Sequence, residues 1–87
     1  MESEVITSRK IIYPGDIIGI IGEGRSSVQL VATAKSMGFK VATYVTSEQN
    51  DVNQYADINF VGSIHDGEKL QRFAQRCKIV LYESELI

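Results

Sequence analysis

Ile17-Ile18-Gly19-Ile20-Ile21 runs without a polar interruption. Such a run predicts a strand covered on both faces, as in a parallel sheet lying between helices. Gly22-Glu23-Gly24 follows as a glycine-rich turn, and Arg25 to Met37, free of Gly and Pro, predicts a helix stopped by Gly38. On that helix Ser27, Leu30, Val31, Ala34 and Met37 fall on one stripe, the face expected on the sheet, while Thr33 and Lys35 point elsewhere. Val41 to Val45 predicts a second strand, joined to the first by a right-handed crossover. Polar Thr46 to Val52 reads as a loop, with a single helical turn expected around Asn53 to Ala56, and Ile58 to Val61 predicts a third strand. Asp66 is placed to cap a second helix from Gly67 to about Arg76, whose apolar stripe is Leu70, Phe73, Ala74 and Cys77. Ile79 to Tyr82 predicts a fourth strand.

These elements specify an α/β fold, a Rossmann-like open parallel sheet of about four strands in the sequence β-α-β-β-α-β. The first strand is central, the spatial order is 3-2-1-4, and the fourth strand is expected at an edge. Residues 1–13 are polar and lack an apolar signal core, which predicts a flexible, frayed leader ahead of one domain at 14–87.

Composition acts mainly by exclusion. The chain has 87 residues, 44% hydrophobic and 23% charged, which suits one domain with a small core. Its net charge is -2 and no basic run exceeds Arg9-Lys10, which argues against nucleic acid as a partner. The longest apolar stretch, Ile17 to Ile21, is far short of the roughly 20 residues of a membrane helix. A lone Cys77 and a lone His65 provide neither a disulfide nor zinc-type ligand spacing. A reducing, cytoplasmic setting without a metal site is therefore expected. Cys77, on a core stripe, reads as a small buried hydrophobe, and His65, without a visible catalytic partner, as a surface residue.

Open α/β sheets bind ligands beyond the carboxyl ends of their strands, where strand order reverses. That rule brings Gly22 to Ser27 and Tyr82 to Ile87 around one crevice. Gly22 and Gly24 allow close backbone approach to an anion, and the amides at Gly24, Arg25 and Ser26 together with the helix dipole would hold phosphate or carboxylate. Arg25 adds a cation; Glu23 opposes anion binding unless its side chain turns outward. The two glycines also suit a plain tight corner, and both readings stand at this level. As a dinucleotide fingerprint the segment is incomplete, because Ser27 replaces the third glycine. Tyr44-Val45-Thr46 also stands where an acid would hold ribose hydroxyls, with Glu48 the nearest acid. Glu83 and Glu85 bracket Ser84 and would project to one side of an extended chain, toward the crevice or into solvent.

Pro14 to Gly24, Lys35 to Val41, Tyr55-Ala56-Asp57 and Leu81-Tyr82-Glu83-Ser84-Glu85 carry a resemblance. In order and spacing they resemble the start of 5-(carboxyamino)imidazole ribonucleotide synthetase, the ATPase subunit of phosphoribosylaminoimidazole carboxylase, an ATP-grasp ligase of purine biosynthesis. The resemblance implies a pre-ATP-grasp domain that forms part of the aminoimidazole ribonucleotide site through Gly22, Gly24 and Glu83. ATP and Mg2+ are implied for the full-length enzyme, with no cofactor expected on this chain, which is not expected to catalyse ligation by itself. Departures fall on the crevice rim: Arg25-Ser26-Ser27-Val28-Gln29 replaces the family's Gln-Leu-Gly-Arg-Met, and Tyr44-Val45-Thr46 replaces Leu-Asp-Pro. The alternative reading is a stand-alone, diverged module that self-associates as a homodimer through its fourth-strand edge or binds another small phosphorylated ligand. Neither reading involves nucleic acid or membrane.

Overall fold

The computed structural model describes residues 2–6, 11–47 and 51–84, and within them the apolar runs become strands. In chain order the elements are β1 (Glu2–Ile6), β2 (Ile17–Ile21), α1 (Arg25–Ser36), β3 (Lys40–Val45), β4 (Ile58–Val61), α2 (Gly67–Gln75) and β5 (Ile79–Ser84). The single turn expected near Asn53 is a short 3-10 helix at Asp51–Gln54. Gly38, with φ 93°, provides the left-handed exit from α1. Asp66 caps α2 by accepting the Lys69 N–H at 3.1 Å.

The sheet order is β1-β5-β2-β3-β4. Its four inner-to-edge strands β5, β2, β3 and β4 are parallel, with β2 between β3 and β5, the arrangement expected for two right-handed crossovers. Two expectations are corrected. The last parallel strand, β5, is not an edge, and the segment read as a frayed leader supplies the strand that covers it. β1 pairs antiparallel with β5, Glu2 opposite Ser84 and Ile6 opposite Val80. A sheet edge is a row of unsatisfied backbone donors and acceptors, and pairing with it uses backbone groups alone. The polar Glu2-Ser3-Glu4 sequence therefore does not prevent strand addition. Farther along, the Tyr13 N–H donates to Asp16 Oδ2 at 2.8 Å and the Gly15 N–H to the Gly38 carbonyl at 2.9 Å, which docks the approach to β2 against the exit of α1.

Side-chain alternation divides the core between the two sheet faces. Ile18, Ile20, Val41 and Val45 pack with Val31 and Ala34 of α1. Ala42, Tyr44 and Val80 pack with Phe73 of α2, and Leu70 and Cys77 close around them. Phe73 sets its ring edge against Tyr44 and Phe60, with centroids 5.5 and 5.3 Å away. α2 lies close to β2 at Gly19, where a Cβ would come within 2.5 Å of Cys77 Sγ and 2.9 Å of Phe73 Cζ.

Two members of the expected stripes face solvent. Met37 is 60% exposed because it follows the last helical residue, where the chain is already turning through Gly38 toward β3. Ala74 is exposed; α2 is a short helix whose contact line runs Leu70, Phe73, Cys77, leaving the i+4 position on its flank.

Candidate functional site

The central strand β2 ends at Ile21, which lies beside Tyr44 of β3 on one side and Tyr82 of β5 on the other. The next residues form the turn into α1, at the point where strand order reverses. Gly22 has φ 153° and Gly24 has φ 104°, values that favour glycine. The Gly22 N–H reaches the Tyr44 carbonyl at 3.4 Å, and the Gly24 carbonyl accepts the first helical bond from Val28 N–H at 3.1 Å. No side chain caps α1 and its first turn holds no acid. Arg25, its first residue, is exposed, and Ser26 is half-buried.

Ser27 occupies the place of the third fingerprint glycine and is fully buried, its Oγ without a hydrogen-bond partner. A small residue there permits the close helix-to-sheet contact for which the fingerprint uses glycine.

Glu23 reaches across to the residue that follows β3. Its Oε2 accepts the Thr46 N–H at 2.6 Å and the Thr46 hydroxyl at 2.5 Å, so the negative charge is tied to the end of β3. The crevice between β2 and β5 lies on the other side of the turn. This partnership was invisible in the sequence; the only hint is that Thr46 is the first polar residue after β3, at the same end of the sheet as the glycine turn.

The structure thus brings Gly22, Glu23, Gly24, Arg25 and Ser26 to one end of the sheet. Glu83 joins them at the level of the strand, one residue past Tyr82 in β5. Glu85 and Glu48 lie outside the described residues.

On the α2 face of the same sheet end, Tyr44 is buried and its hydroxyl donates to the Ser63 carbonyl at 2.7 Å. Burial raises its phenol above the ordinary range, and the negative charge of Asp66 adds to the effect. Lys69 Nζ donates to the Val61 carbonyl at the end of β4. These groups finish strand ends rather than line the β2–β5 crevice.

Cys77 is half-buried, with Sγ donating to the Phe73 carbonyl at 3.2 Å. Burial pushes its thiol up to about 11, a rise that Arg76 partly opposes. The thiolate needed for nucleophilic chemistry is therefore scarce near neutrality. His65 is exposed on the loop before α2. Among the described residues no three His, Cys, Asp or Glu side chains are grouped to hold a metal ion, and no helix is long and apolar enough to cross a membrane.

Asp57 is a residue whose role sequence reasoning missed. Its carboxylate receives Lys35 Nζ of α1 at 2.8 and 2.9 Å and the Val41 N–H of β3 at 2.9 Å. The Lys35 bond, followed by the Val41 bond, holds its carboxyl below the usual carboxylate range. The residue ties helix and sheet together on the side of α1 away from the crevice.

Comparison with known proteins matches residues 16–87 to the family described as the ribonucleotide synthetase preATP-grasp domain. The N5-carboxyaminoimidazole ribonucleotide synthase of Bacillus subtilis (strain 168) is 38% identical over 80 residues, which is 92% of this chain and 21% of that protein. The Staphylococcus aureus (strain COL) protein of the same name is 35% identical over 74 residues, 84% of this chain and 20% of its own. Among solved structures, the ADP complex of an N5-carboxyaminoimidazole ribonucleotide synthetase superposes with a TM-score of 0.83 at 38% identity, over 93% of this chain and 21% of that one. The Staphylococcus aureus enzyme complexed with ADP superposes with a TM-score of 0.82 at 30% identity, over 87% and 20% of the two chains. The chain spans about a fifth of the length of these relatives.

Proposed function

This chain belongs to the ribonucleotide synthetase pre-ATP-grasp family and corresponds to the N-terminal domain of the N5-carboxyaminoimidazole ribonucleotide synthetases, and on that premise we propose that it forms one wall of a ribonucleotide site. In this reading the phosphate of aminoimidazole ribonucleotide rests on the turn from Gly22 to Ser26 with Arg25 beside it, and Glu83 meets a polar group of the ligand from the β5 side.

The observation that carries the reading is the start of α1. It opens just past the central strand at the switch point, with neither a side-chain cap nor an acid in its first turn, whereas α2 is capped by Asp66. The first N–H groups of a helix have no acceptor within it, and the dipole adds positive potential at that end. Such a terminus suits an anion. The carboxylate of Glu23, which would repel one, is turned toward Thr46.

Ligation with ATP and Mg2+ is assigned in this proposal to the ATP-grasp portion of such enzymes and to no residue of this chain. The compartment that suits the role is the cytoplasm.

The test is an amide NMR titration of the chain with aminoimidazole ribonucleotide and, separately, with ATP, following residues 22–27 and 82–84. Saturable shifts with the ribonucleotide are expected, with little response to ATP. Arg25→Glu leaves the helix start intact, since an acid there complements the dipole, yet it should weaken the response about tenfold or more. Absence of shifts with either compound would refute the proposal.

A further inference from the structure

The sheet has a second edge, far from the glycine turn's crevice. β4 is the outermost strand on the side away from β1, and among the described residues no strand lies beyond it. Edge strands in natural proteins are commonly blunted by charged side chains, proline or a bulge. Ile58-Asn59-Phe60-Val61 carries no charge and no proline, and its only protection is a length of four residues. The Asp57 N–H donates to the Val41 carbonyl at 2.8 Å, and alternate residues of a strand bond the same neighbour. Asn59 therefore also turns its main chain toward β3, while Ile58 and Phe60 turn theirs outward.

We propose that β4 is the seat of a symmetric dimer, in which a second copy of this chain adds its own β4 antiparallel about a two-fold axis at Asn59. One register uses both outward residues of both copies. Ile58 then stands opposite Phe60 of the second copy, Phe60 stands opposite its Ile58, and each couple exchanges a reciprocal pair of main-chain hydrogen bonds.

A two-fold contact requires one patch to complement itself, and this patch does so on both faces and at both ends. On the α2 face, half-buried Ile58 and Phe60 form aromatic to β-branched pairs across the join, a favourable cross-strand combination. On the α1 face the two Asn59 side chains meet at the axis, where the strands' closely spaced pair falls. Asn59 Oδ1 accepts the Thr43 hydroxyl at 2.9 Å, which leaves a lone pair and the NH2 donors for the same amide of the second copy. Tyr55 before β4 and Ile64 after it are each about half exposed, and the antiparallel register brings Tyr55 of one copy to the end that carries Ile64 of the other. The charges agree as well. Asp57, already paired with Lys35, stands level with Val61 of the second copy, whose carbonyl holds Lys69 Nζ, so no like charges are opposed.

Strands this short bury little, and contacts below about 1,200 Å2 belong to weak pairs. Dissociation is expected at about 10–500 µM. A two-fold pair closes on itself, so association stops at the dimer, unlike association through a β5 edge stripped of β1.

The test is sedimentation equilibrium of the full chain from about 5 µM to about 1 mM, with amide NMR spectra over the same range. The mass should rise from monomer to dimer, and the amides of Ile58, Asn59 and Phe60 should shift with concentration while those of residues 22–26 stay in place. Ile58→Pro removes an N–H that the sheet does not use, a change edge strands tolerate, and should leave a folded monomer throughout. Asn59→Asp keeps an acceptor for Thr43 but sets two carboxylates face to face, and should weaken the dimer about tenfold or more. An equimolar mixture of Asn59→Asp and Asn59→Lys should associate about tenfold more tightly than either variant alone. Should Ile58→Pro fail to fold, the two Asn59 variants decide. A parent chain that stays monomeric at about 1 mM, concentration-dependent shifts that spare residues 58–60, or folded variants that dimerise as the parent does would each overturn the proposal.

Discussion

Gly19 is the point at which the packing of α2 can be tested by adding one methyl group. In Gly19→Ala the new Cβ would stand 2.5 Å from Cys77 Sγ, 2.9 Å from Phe73 Cζ and 3.1 Å from Phe73 Cε2. Non-bonded carbon atoms prefer about 3.5–4.0 Å, so α2 must back away from β2 by roughly 1 Å or the Phe73 ring must leave its place between Tyr44 and Phe60. Overpacking of this kind costs about 1–3 kcal/mol. Part of it is offset by the reduced freedom of the unfolded chain when Gly becomes Ala, about 0.4–1 kcal/mol. A net loss of about 1–2 kcal/mol remains, which for a domain of this size lowers the melting temperature by roughly 5–15 °C. Urea and thermal unfolding followed by far-ultraviolet circular dichroism measure it directly. Because Cys77 Sγ is the nearest atom, Cys77→Ala should relieve part of the clash, and the double-mutant cycle should show coupling of about 0.5 kcal/mol or more. Gly19→Ala at or above parental stability, or a cycle without coupling, would show that α2 does not rest on β2 at this position.

Three further outcomes follow from individual contacts. Asp57→Asn should lose about 1–2 kcal/mol near neutral pH, since the carboxylate serves both Lys35 and the Val41 N–H but is a third exposed and partly screened. Its folded pKa is lowered, so its stabilisation is present above the ordinary Asp value of about 4 and disappears as pH falls through the lowered one; the variant's stability should vary less than the parent's across that acidic window in urea melts. Ser27→Ala removes a buried hydroxyl that has no partner and should raise stability by about 1 kcal/mol, whereas a clear loss would reveal a hydrogen bond at that Oγ. Deleting residues 1–10 uncovers β5, so sedimentation equilibrium should show mass rising with concentration, and a folded, concentration-independent monomer would contradict the pairing of β1 with β5.

The parts of the fold that could be read along the chain are those whose cause is local. The unbroken apolar run at Ile17–Ile21, the stop at Gly38 and the cap at Asp66 each follow from the backbone geometry of a few neighbouring residues. Sheet order followed because the handedness of a strand-helix-strand crossover leaves one arrangement for two such units. The glycine turn and its position at the switch point were legible for the same reason, as was the resemblance carried by Pro14 to Gly24.

What the tertiary structure alone decided depends on which distant segments become neighbours. Glu23 and Thr46 are 23 residues apart, and Lys35 and Asp57 are 22 apart; nothing in their local sequence distinguishes these polar residues from solvated ones. Gly19 could be read as one more residue of an apolar strand until α2 was seen to cross it with Cys77 and Phe73. The strand at Glu2–Ile6 was misread because polarity reports on side chains, while pairing with an open sheet edge is a property of the backbone. Periodicity is a one-dimensional signal of which face is apolar. Which carboxylate reaches which donor is settled only once strands lie about 5 Å apart, and that adjacency is created by folding.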